Sequence, residues 1–93
     1  MHKVAIIGAG RIGRIHARNA ASHPRLSLAG VVDPVAGAAQ SLAQEHGSAV
    51  TTLDAVLADP GIAGVIIASS TDTHLDYSLR AAAAGKAIFC EKP

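Results

Sequence analysis

The stretch Val4-Ala5-Ile6-Ile7-Gly8-Ala9-Gly10-Arg11-Ile12-Gly13 decides the fold of this chain. It is a short apolar run, followed by Gly-x-Gly-x-x-Gly and then by residues that can continue as a helix. Nineteen residues separate Gly13 from Asp33, and Asp33 ends a second apolar run at positions 28–32. A strand, a glycine turn and a helix, with an acidic residue about 20 positions further on, together predict a dinucleotide-binding unit.

Each glycine of this turn has a distinct physical role. Gly8 permits a tight turn out of the strand, Gly10 lets a diphosphate approach the backbone, and Gly13 lets the helix pack close to the sheet. The first N–H groups of that helix have no partner within the helix and carry the positive end of its dipole, which favours a bound diphosphate. The cofactor-binding residues predicted in this turn are Gly8, Ala9, Gly10, Arg11, Ile12 and Gly13.

Asp33 predicts which dinucleotide binds. Its carboxylate can accept hydrogen bonds from the hydroxyls of the adenosine ribose, and its negative charge repels a 2′-phosphate. Positions 34–38 contain no Arg or Lys that would attract such a phosphate. We therefore expect NAD rather than NADP. Asp33 could alternatively cap the helix that follows it, and the two roles are compatible.

The composition fits one small domain and sets aside several classes of protein. Of the 93 residues, 49% are hydrophobic and only 2% aromatic, so we expect a core of Ala, Val, Ile and Leu. The net charge is +1 and the charges are scattered, which indicates neither nucleic acid nor a membrane as a partner. The five histidines have no metal-ligand spacing. The single cysteine, Cys90, is compatible with a reducing compartment, and we expect a cytoplasmic protein.

Strand and helix patterns alternate along the whole chain, which predicts a doubly wound parallel α/β sheet. Strands are expected at 3–7, 27–32, 49–50, 64–68 and 87–89, in the order 3-2-1-4-5, and helices at 11–22, 36–46, 53–58 and 73–84. The fifth strand is expected to end the sheet as an unprotected edge. Helical spacing predicts that Ile12 and Ile15 form the buried stripe of the first helix, and that Leu75, Leu79 and Ala82 face inward on the last.

A second polar segment follows the fourth expected strand. Ligands of such sheets bind beyond the carboxyl ends of the strands, so this segment should face the glycine turn. Residues 69–73 offer hydroxyls and backbone groups suited to a ribose and to the nicotinamide end of the cofactor, and Ser69, Ser70 and Thr71 are the predicted binding residues. His74 is a candidate for the same site, although a local capping or packing role is equally compatible with its position.

Four segments carry a family resemblance. They are Gly-Ala-Gly-Arg-Ile-Gly-Arg-Ile-His-Ala at 8–17, Val-Val-Asp-Pro at 31–34, Ser-Ser-Thr-Asp-Thr-His at 69–74, and Ala-Gly-Lys at 84–86 with Glu-Lys-Pro at 91–93. The chain resembles the N-terminal half of the Gfo/Idh/MocA oxidoreductases, and within them the inositol dehydrogenases most. The resemblance implies that residues 1–93 form a Rossmann domain, and that a C-terminal substrate domain is absent from this chain.

The resemblance also implies a reaction and a catalytic residue. In that family the lysine of Glu-Lys-Pro, here Lys92, lies beside the nicotinamide and hydrogen-bonds the reacting substrate oxygen, and Glu91 is counted with the cofactor-binding residues. The expected function is hydride transfer between NAD and a sugar or an inositol-like polyol, with the fragment alone inactive. The alternative is a non-catalytic NAD-binding module for regulation or redox sensing, and a flavin- or methyl-donor-binding domain is a weaker third. A homo-oligomer is left open.

Overall fold

The computed structural model describes residues 2–90 as a parallel sheet with helices on both faces. In chain order the elements are β1 (His2–Ile7), α1 (Arg11–Ser22), β2 (Leu26–Val32), α2 (Ala36–Glu45), α3 (Leu53–Ala58), β3 (Ile62–Ile67), a 3-10 turn (Thr71–Thr73), α4 (His74–Ala83) and β4 (Ala87–Cys90). The predictions for Glu91 and Lys92 lie outside the described residues. The parallel α/β architecture expected from the sequence is confirmed.

The sheet has four strands in the order β2-β1-β3-β4, and every neighbouring pair is parallel. The expected five-stranded order 3-2-1-4-5 is therefore wrong. At the place of the expected third strand, Val50 forms only an isolated bridge with Val31. Two hydrogen bonds make that bridge, from Val31 N to Ala49 O and from Thr51 N to Val31 O, each 2.9 Å long.

Turns at the ends of the neighbouring helices bound the segment that forms this bridge. After α2 the chain turns at Gly47, whose φ is +64°. Thr52 already caps α3, because its side chain accepts a hydrogen bond from Ala55 N at 3.1 Å. Only positions 48–51 lie between these two turns, and among them Val50 alone pairs with β2, so the contact stays a single bridge.

Two apolar clusters fill the space on either side of the sheet. One contains Ile6 of β1 with buried residues of α1 and α2, and the other contains Ala5 and Ile7 with buried residues of α3 and α4. This division follows from the alternation of side chains along a strand, which sends Ile6 to one face and its neighbours to the other.

The inner faces of α1 and α4 differ from the expectation. The residues that α1 buries are Gly13, Ala17 and Ala20, and both Ile12 and Ile15 are exposed. The core residue of α4 is Ala81, supported by the partly buried Tyr77. Leu75 and Leu79 of the same helix are 72% and 62% exposed, and Ala82 is exposed too. The prediction from helical spacing was wrong because small side chains, rather than large ones, allow these helices to lie close to the sheet.

The strand order creates a crevice between the ends of β1 and β3. From β1 the chain crosses to β2 on one side of the sheet, whereas from β3 it crosses to β4 on the other. The chain therefore leaves β1 and β3 toward opposite edges of the sheet, and open α/β sheets bind ligands beyond such a point. We call this region the switch-point crevice.

Candidate functional site

The glycine turn after β1 touches the segment that follows β3. Gly8 has a φ of +109°, which side chains of L-residues rarely adopt. A Cβ built on Gly8 would lie 2.6 Å from both the carbonyl carbon and the oxygen of Ala68. The two loops of the switch-point crevice therefore meet directly, and no side chain fits between them.

Gly13 and Gly10 face different surroundings. A Cβ on Gly13 would lie 1.8 Å from the carbonyl oxygen of Gly8, so the first turn of α1 rests on the backbone of the glycine turn. A Cβ on Gly10 would meet nothing within 4 Å. The outer side of the turn is therefore open to a ligand while its inner side is closed by packing.

The amino end of α1 has the properties of an anion site. Its first hydrogen bond runs from Arg14 N to Gly10 O at 2.9 Å, so the N–H groups of residues 11–13 precede the helical ladder. The N-cap residue is Gly10, which has no side chain to cap the helix, and the first turn contains no acidic residue. The positive end of the helix dipole can therefore receive a diphosphate, and the residues present fit the diphosphate of NAD.

Asp33 lies at the same crevice, with its carboxylate turned toward the glycine turn. Its Oδ2 accepts a hydrogen bond from Ala9 N at 2.7 Å, and its Oδ1 accepts one from Val35 N at 2.8 Å. Val35 is the N-cap of α2 and contributes no side-chain cap itself, so Asp33 also supports the start of α2. Since each carboxylate oxygen has two lone pairs, one acceptor position remains on each oxygen for a ribose hydroxyl.

The loop after β3 is braced by its own polar groups. The hydroxyls of Ser69 and Thr73 lie 2.7 Å apart, and the Thr73 hydroxyl donates to Ser70 O at 2.6 Å. The Nε2 of His74 lies 2.9 Å from Ser69 O. His74 thus holds the backbone at Ser69 from the first residue of α4, so the local role left open from the sequence is present here.

Thr73 lies in the segment 69–73 that the sequence pointed to, but it was not named among the predicted binding residues. Thr73 hydrogen-bonds both Ser69 and Ser70 and so links the beginning of the loop to α4. The signal was the position of Thr73 at the start of the helix expected at 73–84, because hydroxyl side chains commonly bond the backbone at helix starts.

The other predicted site residues differ in their exposure to solvent. Ala9 is buried, whereas Arg11, Ile12, Ser70 and Thr71 are exposed at the edge of the crevice. The structure therefore brings together the glycine turn, Asp33 and the Ser69–His74 loop.

A separate apolar groove lies between α1 and the β3–β4 side of the sheet. It has a volume of about 400 Å³, and its lining includes Val4, His16, Ile66 and Phe89. The rings of His16 and Phe89 pack edge to face with centroids 5.2 Å apart. None of the residues predicted to bind the cofactor lines this groove. We assign the candidate site to the switch-point crevice because the backbone donors and the carboxylate meet there.

Residues 2–90 lack two features. Within them, no group of three or more His, Cys, Asp or Glu is arranged to hold a metal ion. No helix in this range has both the length and the apolar character to cross a membrane.

Comparison with known proteins identifies the family. Residues 2–93 match the family model described as "Oxidoreductase family, NAD-binding Rossmann fold", that of the Gfo/Idh/MocA proteins. The chain belongs to the Gfo/Idh/MocA family. The Gfo/Idh/MocA resemblance inferred from the sequence is thereby confirmed, as is NAD as the cofactor of its Rossmann domain.

Individual Gfo/Idh/MocA relatives agree with this assignment. The chain is 44% identical over 91 residues to an inositol 2-dehydrogenase of Rhizobium meliloti, covering 98% of this chain and 28% of the relative. A crystal structure of a myo-inositol dehydrogenase from Corynebacterium glutamicum superimposes with a TM-score of 0.92 at 44% identity, covering 100% of this chain and 28% of that one. A scyllo-inositol dehydrogenase from Lactobacillus casei, with bound NAD(H) and scyllo-inositol, gives a TM-score of 0.89 at 31% identity with the same coverage. The chain thus spans little more than a quarter of the length of these Gfo/Idh/MocA relatives.

Proposed function

We propose that this chain is the cofactor-binding part of an enzyme that moves a hydride between NAD and a secondary alcohol of an inositol-like polyol. The proposal rests on one observation, which is that the open amino end of α1 and the Asp33 carboxylate lie at the same crevice. The Ala9 N–H donates to Asp33 Oδ2 at 2.7 Å there. The polyol is taken from the relatives, several of which are named as inositol dehydrogenases.

In this proposal each part of the crevice binds a different part of NAD. The N–H groups at the start of α1 bind the diphosphate, and the free acceptor positions of Asp33 bind the adenosine ribose. Ser69, Ser70, Thr71 and His74 line the path toward the nicotinamide ribose. Arg11 and Ile12 flank the diphosphate from the exposed side of the turn.

The same residues favour NAD over NADP. A 2′-phosphate would sit against the Asp33 carboxylate, and like charges in such contact repel. Positions 34–38 hold no Arg or Lys to compensate.

Catalysis is assigned to Lys92. When bound, the nicotinamide supplies the hydride acceptor or donor. The Lys92 ammonium hydrogen-bonds the substrate oxygen and stabilises the negative charge that develops on it. The remaining acid–base residues and the specificity for the polyol belong to a C-terminal substrate domain, so we expect residues 1–93 alone to bind NAD without sustained turnover. A content of one cysteine, Cys90, fits a cytoplasmic enzyme.

Replacing Lys92 in the longer enzyme that contains this domain tests the proposal. We expect Lys92→Met to lower kcat for myo-inositol oxidation by at least about a hundredfold, because the developing charge loses its stabilising donor. The affinity for NAD should change little. NADH formation at 340 nm measures the first quantity, and titration calorimetry measures the second.

Lys3→Met is the matched control, since Lys3 is an exposed lysine at the amino end of β1, far from the crevice. Its kcat should equal that of the unmodified enzyme. Full turnover in Lys92→Met, with NAD still bound, would refute the catalytic role of Lys92. An unmodified protein that binds NAD but oxidises no polyol would favour a non-catalytic NAD-binding module.

A further inference from the structure

The Asp33 carboxylate ties together three separate segments of the chain. The residue itself follows β2, its Oδ2 accepts from Ala9 N in the glycine turn at 2.7 Å, and its Oδ1 accepts from Val35 N before α2 at 2.8 Å. Ala9 is only 3% exposed, so water does not readily replace this hydrogen bond. The contact spans 24 positions in sequence and holds the turn against β2.

Ala9 is the point at which the glycine turn most needs such a restraint. It lies between Gly8 and Gly10, two residues that have more backbone freedom than any other type. Gly10 meets nothing within 4 Å on the side where a Cβ would project, so packing does not fix it from there. The direction of the N–H groups offered to a diphosphate therefore depends on how firmly Ala9 is held.

We infer that Asp33 is a positioning residue for the diphosphate, besides its expected contact with the ribose. This inference rests on the proposed function. By holding Ala9, the carboxylate fixes the turn in the shape that receives the diphosphate before the cofactor arrives, and a preformed site loses less entropy on binding. Asp33 thus couples the ribose position to the diphosphate position through the protein backbone.

Because Asp33 is charged, the direction in which ligand affinity changes on its removal tests the inference. A carboxylate near a diphosphate repels it, so removing the charge alone should strengthen the binding of any ligand that does not use the carboxylate. Removing a positioning residue should weaken that binding instead. A suitable probe is 2′,3′-dideoxy-ADP. It retains adenine and diphosphate but lacks both ribose hydroxyls that could donate a hydrogen bond to Asp33.

Titration calorimetry of the 93-residue chain with ADP and with 2′,3′-dideoxy-ADP provides the test. For Asp33→Ala we expect the affinity for dideoxy-ADP to fall at least about tenfold, the effect of one lost hydrogen bond to a charged group. The affinity for ADP should fall further, since the ribose contact is lost as well. Asp33→Asn retains one acceptor oxygen, so its affinity for dideoxy-ADP should fall less. If Asp33→Ala does not fold, the test is made with Asp33→Asn.

Hydrogen exchange in the absence of nucleotide gives an independent readout. The Ala9 amide should exchange faster in both Asp33 variants, while the Ile6 amide in the β1 ladder keeps its protection. Asp59→Ala is the matched control, because Asp59 Oδ1 accepts from Gly61 N at 2.8 Å before the amino end of β3. It removes the same charge and a similar contact, and should leave dideoxy-ADP affinity and Ala9 exchange unchanged.

Unchanged or increased affinity for dideoxy-ADP in both Asp33 variants, with unchanged exchange at Ala9, would overturn the inference. If NAD still binds the unmodified chain in that case, the proposed function stands without it. If the unmodified chain binds neither NAD nor ADP, both fail together.

Discussion

At the scale of single residues, Gly13 is needed for packing of the fold, whereas Gly10 is needed for access of the ligand. A methyl group on Gly13 would lie 1.8 Å from Gly8 O, whereas one on Gly10 would meet nothing within 4 Å. We expect Gly13→Ala to lower the free energy of unfolding by about 3 kcal/mol, because the backbone must move to admit the methyl group. Urea denaturation followed by circular dichroism measures this loss.

Gly10→Ala should behave in the opposite way. Gly10 has a φ of −78°, which alanine adopts readily, so the free energy of unfolding should fall by no more than about 1 kcal/mol. Its methyl group would occupy the space where the diphosphate approaches, and NAD affinity should fall at least about tenfold, as calorimetry would record. Equal NAD affinity in Gly10→Ala and the unmodified chain would argue against a diphosphate at this turn.

These residues also show what the sequence could reveal. The glycine spacing and Asp33 were enough to predict the turn, its neighbouring strand and helix, and a carboxylate at the crevice. The hydrogen bond from Ala9 to Asp33 could not be predicted, because it depends on the register that brings the end of β2 beside the glycine turn.

At the scale of elements, α4 presents an apolar stripe that the core does not use. Leu75 and Leu79 are exposed, and the helix contacts the sheet through Ala81 and Tyr77. We expect Leu75→Ala and Leu79→Ala each to change the free energy of unfolding of this chain by no more than about 0.5 kcal/mol. Chemical denaturation of the purified variants would measure this.

Leu42→Ala on α2 serves as the comparison, since Leu42 is fully buried. The same chemical change there should cost about 2–5 kcal/mol, because it leaves a cavity in the core. A comparable loss at Leu75 or Leu79 would mean that α4 packs on the sheet through its leucines, as the spacing alone had suggested.

The wrong predictions for helix faces and for the strand at 49–50 share a cause, since both depend on how the elements pack. Helical periodicity weights large apolar residues, but α1 and α4 approach the sheet through Gly13, Ala17, Ala20 and Ala81. Likewise, the apolar pair Ala49-Val50 suggested a strand, but between the turn at Gly47 and the cap at Thr52 only Val50 pairs with β2. Packing distance and the space between caps are properties of the assembled chain.

At the scale of the whole molecule, two concave regions differ in chemistry. The switch-point crevice combines an open helix start with a carboxylate, whereas the groove beside α1 is lined mainly by apolar side chains. The alternation of strands and helices was sufficient to predict the crevice. The groove could not be predicted, because it depends on which parts of the two sheet faces the helices cover.

A titration of the 93-residue chain with NAD, followed by NMR of its backbone amides, shows directly where the cofactor binds. We expect saturable shifts, at one NAD per chain, concentrated at Ala9, Gly10, Arg11 and the amides next to Asp33, with NADP binding at least about tenfold more weakly. Saturating NAD that leaves these amides unmoved, or that shifts instead the residues of the apolar groove, would contradict this expectation.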